Sequence, residues 1–231
     1  MEISKYGITL TRLQEEDLEM VRTHRNADYI QRYMAFREPI SPEQQRTWFQ
    51  QVNNNQHLYF IIRFQGKACG LINSKNIQWN PLRSEAGLFI WEQSLWNTSV
   101  PALSTLILLE IAFYVAQAAY SLSQVLRDNP RAQSFNKQLG YELLPNQEHL
   151  SNPYYKLTSA RFHKKTAKII RAAETVASPP SLPLSIHFNE EDFQSGIADL
   201  LIKNARRSTI KTTIEEGSGR SYHFHPMGLG S

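Results

Sequence analysis

The sequence predicts an α/β fold of the mixed α+β kind, one sheet with helices on both of its faces. Three observations lead there. Strand-period and helix-period segments alternate through the first 158 of 231 residues. A long, largely apolar helix from Pro101 to about Tyr120 sits near the middle. Behind it comes a strand, helix and strand with full start and stop signals.

In order, Tyr6–Leu13 alternates apolar and polar residues and reads as a strand. Glu15, Glu16 and Asp17 open a helix carrying Leu18, Met20 and Val21, with acids where the helix dipole favours them. Ser41, Pro42 and Gln44 spell a capping box with proline in the first turn, so a second helix runs to about Val52. Three strands follow, Leu58–Phe64, Ala68–Asn73 and Glu85–Ile90, the first two joined through Gln65-Gly66-Lys67. After the apolar helix, Gln124–Arg127 reads as a strand, and Asn129-Pro130 opens a helix that stops at Gly140. Tyr141–Leu144 and Tyr154–Thr158 read as a closing strand pair. There is no internal repeat.

Charge and composition exclude several classes. The chain holds 25 basic and 21 acidic residues, of which residues 1–158 hold 15 and 14. A nearly neutral body is not a nucleic-acid platform, and no nucleic-acid partner is expected. Cys69 is the single cysteine and lies in an apolar run, which predicts a buried thiol and fits a reducing cytoplasm. Glu110 sits near the centre of the apolar stretch 102–120, where a bilayer would penalise it, so a buried core helix is expected and no membrane span. The start, Met1–Lys5, lacks the pattern of a signal peptide.

The run Val125-Leu126-Arg127-Asp128-Asn129-Pro130-Arg131-Ala132-Gln133-Ser134-Phe135-Asn136-Lys137-Gln138-Leu139-Gly140-Tyr141 resembles the signature of the GNAT superfamily of N-acyltransferases. Arg25-Asn26, Tyr33-Met34, Ile40–Glu43 and Trp48-Phe49 resemble the opening of two of its groups. One acetylates ribosomal-protein N-termini; the other acetylates nucleotide-linked amino sugars. The resemblance covers residues 6–158.

The resemblance implies a GNAT-type fold over residues 1–158 and acetyl-CoA as co-substrate. It implies an acceptor amine on a small molecule, with a protein N-terminus as the rival acceptor. Glu85 is then the base that takes a proton from the amine, because an ammonium cannot attack a thioester. The strand edge Leu88, Phe89 and Ile90, the turn Asn97, Thr98, Ser99, Val100 and Ala102, and Asn129 fall to acetyl-CoA. Arg25, Asn73 and Ser74 fall to the acceptor. Arginine suits a nucleotide, since its planar fork pairs with phosphate and stacks on bases.

Two features depart from the family. The turn Trp96–Pro101 lacks the glycines that let the backbone approach a pyrophosphate, though the N-terminus of the following helix remains, with Ser99 as a cap. Asn136 stands where many relatives carry the tyrosine that reprotonates the departing thiolate, and asparagine has no titratable proton. Tyr141 and Tyr154 are the nearby substitutes. These departures keep a third alternative open, a GNAT fold that binds or scaffolds without catalysis. Trp79 and Trp91 are expected to pack.

Behind the body, residues 159–175 read as a basic helix from Arg161 to Arg171. Residues 176–231 read as a stiff Ser178–Pro183 linker, an amphipathic helix opened by Asn189 and carrying Phe193, Ile197, Leu200 and Leu201, and a disordered end from Glu216. The whole reads as a helical C-terminal extension, and residues 188–207 offer a surface for docking or for a homodimer. His223 and His225 lack a third ligand, so no metal is expected.

Overall fold

The computed structural model describes residues 1–176, 183–205, 210–215 and 219–224. Tyr6 and Gly7 both adopt positive φ, at 57° and 72°, the tight turn whose twist suits a two-residue hairpin. The expected first strand therefore starts only after this turn, as β2 (Ile8–Arg12), and an unexpected strand, β1 (Glu2–Lys5), precedes it. The Glu15–Asp17 segment makes a 3₁₀ turn before α1 (Leu18–Asn26), followed by α2 (Asp28–Gln31). α3 (Pro42–Val52) starts with the capping box between Ser41 and Gln44. β3 (Leu58–Phe64), β4 (Lys67–Trp79) and β5 (Leu82–Ile90) form a continuous antiparallel meander.

The central helix is shorter than expected. α4 (Val100–Glu110) passes into a π-helical turn, Ile111–Val115, and the chain becomes β6 at Tyr120–Gln124. The expected strand at 124–127 is thus displaced toward the N-terminus. α5 (Pro130–Leu139) begins where the Asn129 side chain accepts from the Ala132 N–H and ends at Gly140 with φ 100°. β7 (Glu142–Leu143), β8 (Tyr154–Thr158) and α6 (Ser159–Val176) complete the body.

The extension is not wholly helical. Leu184, Ile186 and Phe188 are fully buried and alternate with Ser185 and His187, which is strand periodicity. They form β9 (Leu184–Asn189). The expected amphipathic helix is two helices, α7 (Glu190–Gln194) and α8 (Ile197–Asn204), broken at Gly196 in left-handed backbone. The last described elements are β10 (Ile210–Glu215) and β11 (Gly219–Phe224), so the expectation of disorder from Glu216 is corrected over 219–224. Ser178–Leu182 of the expected linker and His225 lie outside the described residues.

Among the described residues all the strands belong to one sheet of eleven, ordered β10-β11-β9-β1-β2-β3-β4-β5-β6-β8-β7. β5 and β6 are its parallel pair, running from Arg83↔Tyr120 to Ala86↔Ser123. Beyond Ala86, β5 follows β4 to Ile90 while β6 turns away, and the sheet opens into a V. A large apolar cluster packs one face of the sheet against α4 and includes Phe60, Ile72, Ile107, Phe162 and Ile186. A smaller one, with Leu18, Val21, Ile30, Ile61, Leu71 and Trp91, packs α1 and α2 on the opposite face. Among the described residues no helix is long and apolar enough to cross a membrane.

One polar cluster ties the hairpin to the central helix. Glu110 is 2% exposed and accepts from Lys5 Nζ and from the Tyr6 hydroxyl, each at 2.5 Å. Burial raises the Glu110 pKa, and the charge and hydrogen bond of Lys5 oppose that rise. Glu174 of α6 adds a second carboxylate 3.8 Å from Lys5. Removing one partner of a buried pair strands the other charge, at a cost of about 3–5 kcal/mol. Lys5→Met is therefore expected to lower the denaturation midpoint strongly, and Lys5→Met with Glu110→Leu to recover much of the loss. A double-mutant cycle by urea unfolding, with no coupling between the two sites as the contrary result, checks it.

Candidate active site

The antiparallel register of β4 and β5 sets the site. Asn73 faces Gly87, Ser74 faces Ala86 and Lys75 faces Glu85. Because side chains alternate along a strand, Asn73, Lys75, Glu85, Gly87 and Phe89 point to the face carrying α1–α3. Ser74, Ser84, Ala86 and Leu88 point to the face carrying α4. The V between β5 and β6 connects the two faces, and a cleft of about 820 Å³ runs through it.

Glu85 is 5% exposed and lines this cleft one rung before the V opens. Its Oε1 lies 2.8 Å from Lys75 Nζ, its neighbour across the strands. A bulge between Lys75 and Gln78 puts Asn76 at φ 53°, and Asn76 Nδ2 donates to Glu85 Oε2 at 3.2 Å. Asparagine tolerates this left-handed backbone better than most residues. Burial first, and then the charge of Glu85, push the nearby Tyr59 hydroxyl up to about 12. Tyr59 therefore stays protonated at neutral pH. Its ring meets Trp48 edge-on at 4.9 Å, and both line the cleft.

Two nitrogens in this half of the cleft are buried without a hydrogen-bond partner, Arg25 Nη1 and Asn73 Nδ2. The second terminal guanidinium nitrogen of Arg25, Nη2, donates to the Phe36 carbonyl and so holds the side chain against the α2–α3 connection. Asn73 has room because its partner is glycine. A Cβ on Gly87 would come within 2.7 Å of Asn73 Oδ1. Buried donors normally find partners, and these two unsatisfied donors belong to residues that line one cleft.

On the other arm of the V, Ser121 and Ser123 of β6 meet a residue just after α5 and one within it. The Tyr141 hydroxyl and Ser121 Oγ lie 2.8 Å apart, and Asn136 Nδ2 donates to Ser123 Oγ at 3.0 Å. Burial pushes the Tyr141 hydroxyl up to about 12. Tyr141 lines the cleft and Tyr154 does not, which separates the two tyrosines that the sequence left open.

At the mouth, Trp96 and Pro101 line the cleft, whereas Asn97, Thr98, Ser99, Val100 and Ala102 do not. Val100 is 2% exposed and its side chain belongs to the core. Ser99 occupies the cap position of α4 without a side-chain cap bond, because its backbone is already helical. The Val100 N–H bonds Thr98 Oγ1 instead, at 3.3 Å. Arg131 bridges the mouth, donating to the Trp96 carbonyl and to Asn97 Oδ1, with its guanidinium 5.5 Å from the Trp96 ring centre.

One cleft thus gathers Arg25, Asn73, Ser74, Glu85, Leu88, Phe89, Ile90, Asn129 and Asn136 from the residues singled out in the sequence. Trp91 packs instead, buried and stacked on His24 at 4.7 Å. Lys75, Tyr59 and Arg131 were not singled out. Lys75 becomes visible only through the strand register. Arg131 carried a usable signal, being the first-turn cation of the helix that Asn129 caps. Among the described residues no group of three metal-binding side chains comes together.

The family model described as acetyltransferase (GNAT) domain matches residues 8–142. No curated protein matches the chain. An apo nucleotide-linked sugar GNAT superposes with a TM-score of 0.62 at 21% identity, covering 74% of this chain and 97% of that one. The Vibrio cholerae spermidine N-acetyltransferase in complex with CoA and spermine gives 0.59 at 16%, covering 68% and 99%. A domain from Methanocaldococcus jannaschii gives 0.58 at 19%, covering 65% and 97%.

The packing of Asn73 over Gly87 is directly testable. Gly87→Ala is expected to swing Asn73 away from the cleft while the fold stands. The melting temperature should move by no more than about 4 °C, the equivalent of roughly 1 kcal/mol in a chain of this size. A crystal structure of the variant with Asn73 unmoved would contradict this.

Proposed function

The chain belongs to the GNAT acetyltransferase family, and on that premise we propose that it moves an acetyl group from acetyl-CoA to the primary amine of an anionic small molecule, of the nucleotide-linked amino-sugar type. The observation that carries the choice of acceptor is the pair of unpartnered donors, Arg25 Nη1 and Asn73 Nδ2, on the Glu85 side of the cleft. Phosphate or sugar oxygens would satisfy both. The balance of charge agrees. Arg25, Lys75 and Arg131 line the cleft with Glu85, so a polyamine would meet three cations there, and an anion would be drawn in.

The chemistry assigned to the residues is direct transfer. Glu85 accepts a proton from the bound amine, directly or through a water. Lys75 and Arg25 favour the neutral amine over its ammonium by their charge alone. The amine nitrogen forms a bond to the thioester carbonyl carbon, the C–S bond breaks, and sulfur leaves with the electron pair. Backbone N–H groups of the Leu88–Ile90 edge, those of Leu88 and Ile90 facing the V where no strand pairs with β5, polarise the carbonyl. Tyr141, protonated at neutral pH, supplies a proton to the thiolate. Asn136 holds Ser123 beside it. Arg131 and the N-terminus of α4 offer positive charge to the CoA phosphates where glycines are missing.

Titration of acetyl-CoA followed by turnover with a panel of amines tests the proposal. Glu85→Gln is expected to lower kcat by roughly 10²–10⁴-fold with binding of acetyl-CoA retained. Arg25→Ala is expected to raise KM for a nucleotide-linked amino sugar by about tenfold or more, the worth of a lost charge-assisted hydrogen bond, and to leave KM for an uncharged amine within twofold. Faster turnover of polyamines than of anionic amines would overturn the acceptor class. No binding of acetyl-CoA at millimolar concentration would overturn the reaction.

A further inference from the structure

The bulge in β4 lies directly beside Glu85. Between the rungs Lys75↔Glu85 and Gln78↔Arg83, β4 has two residues, Asn76 and Ile77, where β5 has one, Ser84. In a regular strand position 76 would share the α4 face with Ser74. Here the extra residue changes the alternation. Ile77 is buried in the apolar cluster on the α4 side, and Asn76, at φ 53°, turns its side chain to the Glu85 face. Bulges recur beside active sites because they re-aim a side chain in this way.

Two consecutive residues of β4 therefore reach one carboxylate. Lys75 Nζ lies 2.8 Å from Glu85 Oε1, and Asn76 Nδ2 donates to Oε2 at 3.2 Å. Asn76 is exposed and does not line the cleft, so it approaches Glu85 from outside. A carboxylate has about four lone-pair sites, so each oxygen keeps one for a proton from the cleft.

The α3–β3 connection fastens the bulge at three successive residues. The Asn55 carbonyl accepts from Trp79 Nε1 at 3.0 Å, the Gln56 carbonyl from the Ile77 N–H at 2.9 Å, and His57 Nδ1 from the Asn76 N–H at 3.4 Å. Burial, and then the charge of Lys75, lower the His57 pKa, so the ring is neutral at neutral pH and Nδ1 is free to accept. The backbone of Asn76 is thus held independently of its amide.

We propose that Asn76 is a positioning residue for the base: with Lys75 it holds the Glu85 carboxylate in one orientation toward the bound amine, and the bulge is the device that supplies it. The proposal rests on acyl transfer at Glu85 as described above. Asn76 touches neither substrate and acts through Glu85 alone.

Steady-state turnover of acetyl-CoA by the full chain, with a nucleotide-linked amino sugar as acceptor, tests this beside a crystal structure of the variant. Asn76→Gly keeps the backbone, because glycine adopts positive φ freely, and removes only the amide. It is expected to lower kcat about tenfold, the lower end for a hydrogen bond to a charged group, with KM for acetyl-CoA within about twofold and the melting temperature within about 4 °C. In its crystal structure the Glu85 carboxylate is expected to turn toward Lys75. Asn76→Ala is expected to lose the same factor and some stability as well, since alanine is strained at positive φ. In a Glu85→Gln background, Asn76→Gly is expected to cost nothing further. Full activity of Asn76→Gly, or a Glu85 carboxylate that keeps its place, would overturn the positioning role and leave the bulge as backbone structure only. Unchanged turnover in Glu85→Gln would overturn the assignment of the base itself, and no turnover by the unaltered protein the transfer reaction; in either case Asn76 has no base to position.

Discussion

The short pairing between β5 and β6 is the constraint on which the site depends. Four residues of each strand are in register, and the two then part while β5 continues alongside β4. A parallel pair needs a crossover connection, and here the crossover is α4 with its π turn. α4 is held to the sheet by fully buried Leu106 and Ile107 and by the Glu110, Lys5 and Tyr6 cluster, so the angle of the V is fixed by the core. The parting leaves the edge of β5 at Leu88 and Ile90 without a strand beside it on one arm, where the Ile90 carbonyl accepts from Trp96 Nε1, and puts the helix starts at Val100 and Pro130 on the other. Glu85 falls just inside the last rungs, where a strand holds it rigidly.

Much of this could be read from residue order, and the failures have physical causes. Capping signals were reliable because they are local. Ser41 with Gln44, and Asn129 with Gly140, start and stop their helices as their chemistry dictates. The first hairpin was hidden because Tyr6 adopts positive φ, which a large aromatic residue rarely does. The end of α4 was hidden because an apolar run reads alike as helix or as buried strand. In the extension, Leu184-Ser185-Ile186-His187-Phe188 carried a plain alternation, overshadowed by the prolines before it and the strong helix cap after it.

The site divides along the same line. Residues borne on a motif, such as Asn129 and Asn136, or on a recognisable strand, such as Glu85, arrive in one cleft. Those that matter through register, Lys75 opposite Glu85 and Asn73 over Gly87, required the pairing of β4 with β5 to be known to the residue. A slip of one position would turn every one of these side chains to the other face. In the turn at 96–99, Arg131 and Thr98 hold the polar groups against the chain, an arrangement that residue order does not show.

The extension continues the sheet rather than standing apart from it. β9 pairs with β1 from Glu2↔His187 to Ser4↔Ser185, and β11 pairs with the far side of β9. Without β9, β1 would present a free edge whose apolar side chains, Ile3 among them, lacked a cover. Phe188 and Ile197 are fully buried, and Asn55 Nδ2 and Gln117 Nε2 donate to the carbonyls of Ser195 and Asn204. The segment 184–204 is therefore fastened to the β3 approach and to the end of the π turn at once. That places α8 against the back of α4, and the sheet that carries the reacting residues and the extension become one packed unit. Leu201 of α8 lines a small apolar cavity together with Ile111, Ala112 and Ala116, so the extension packs beside the end of α4.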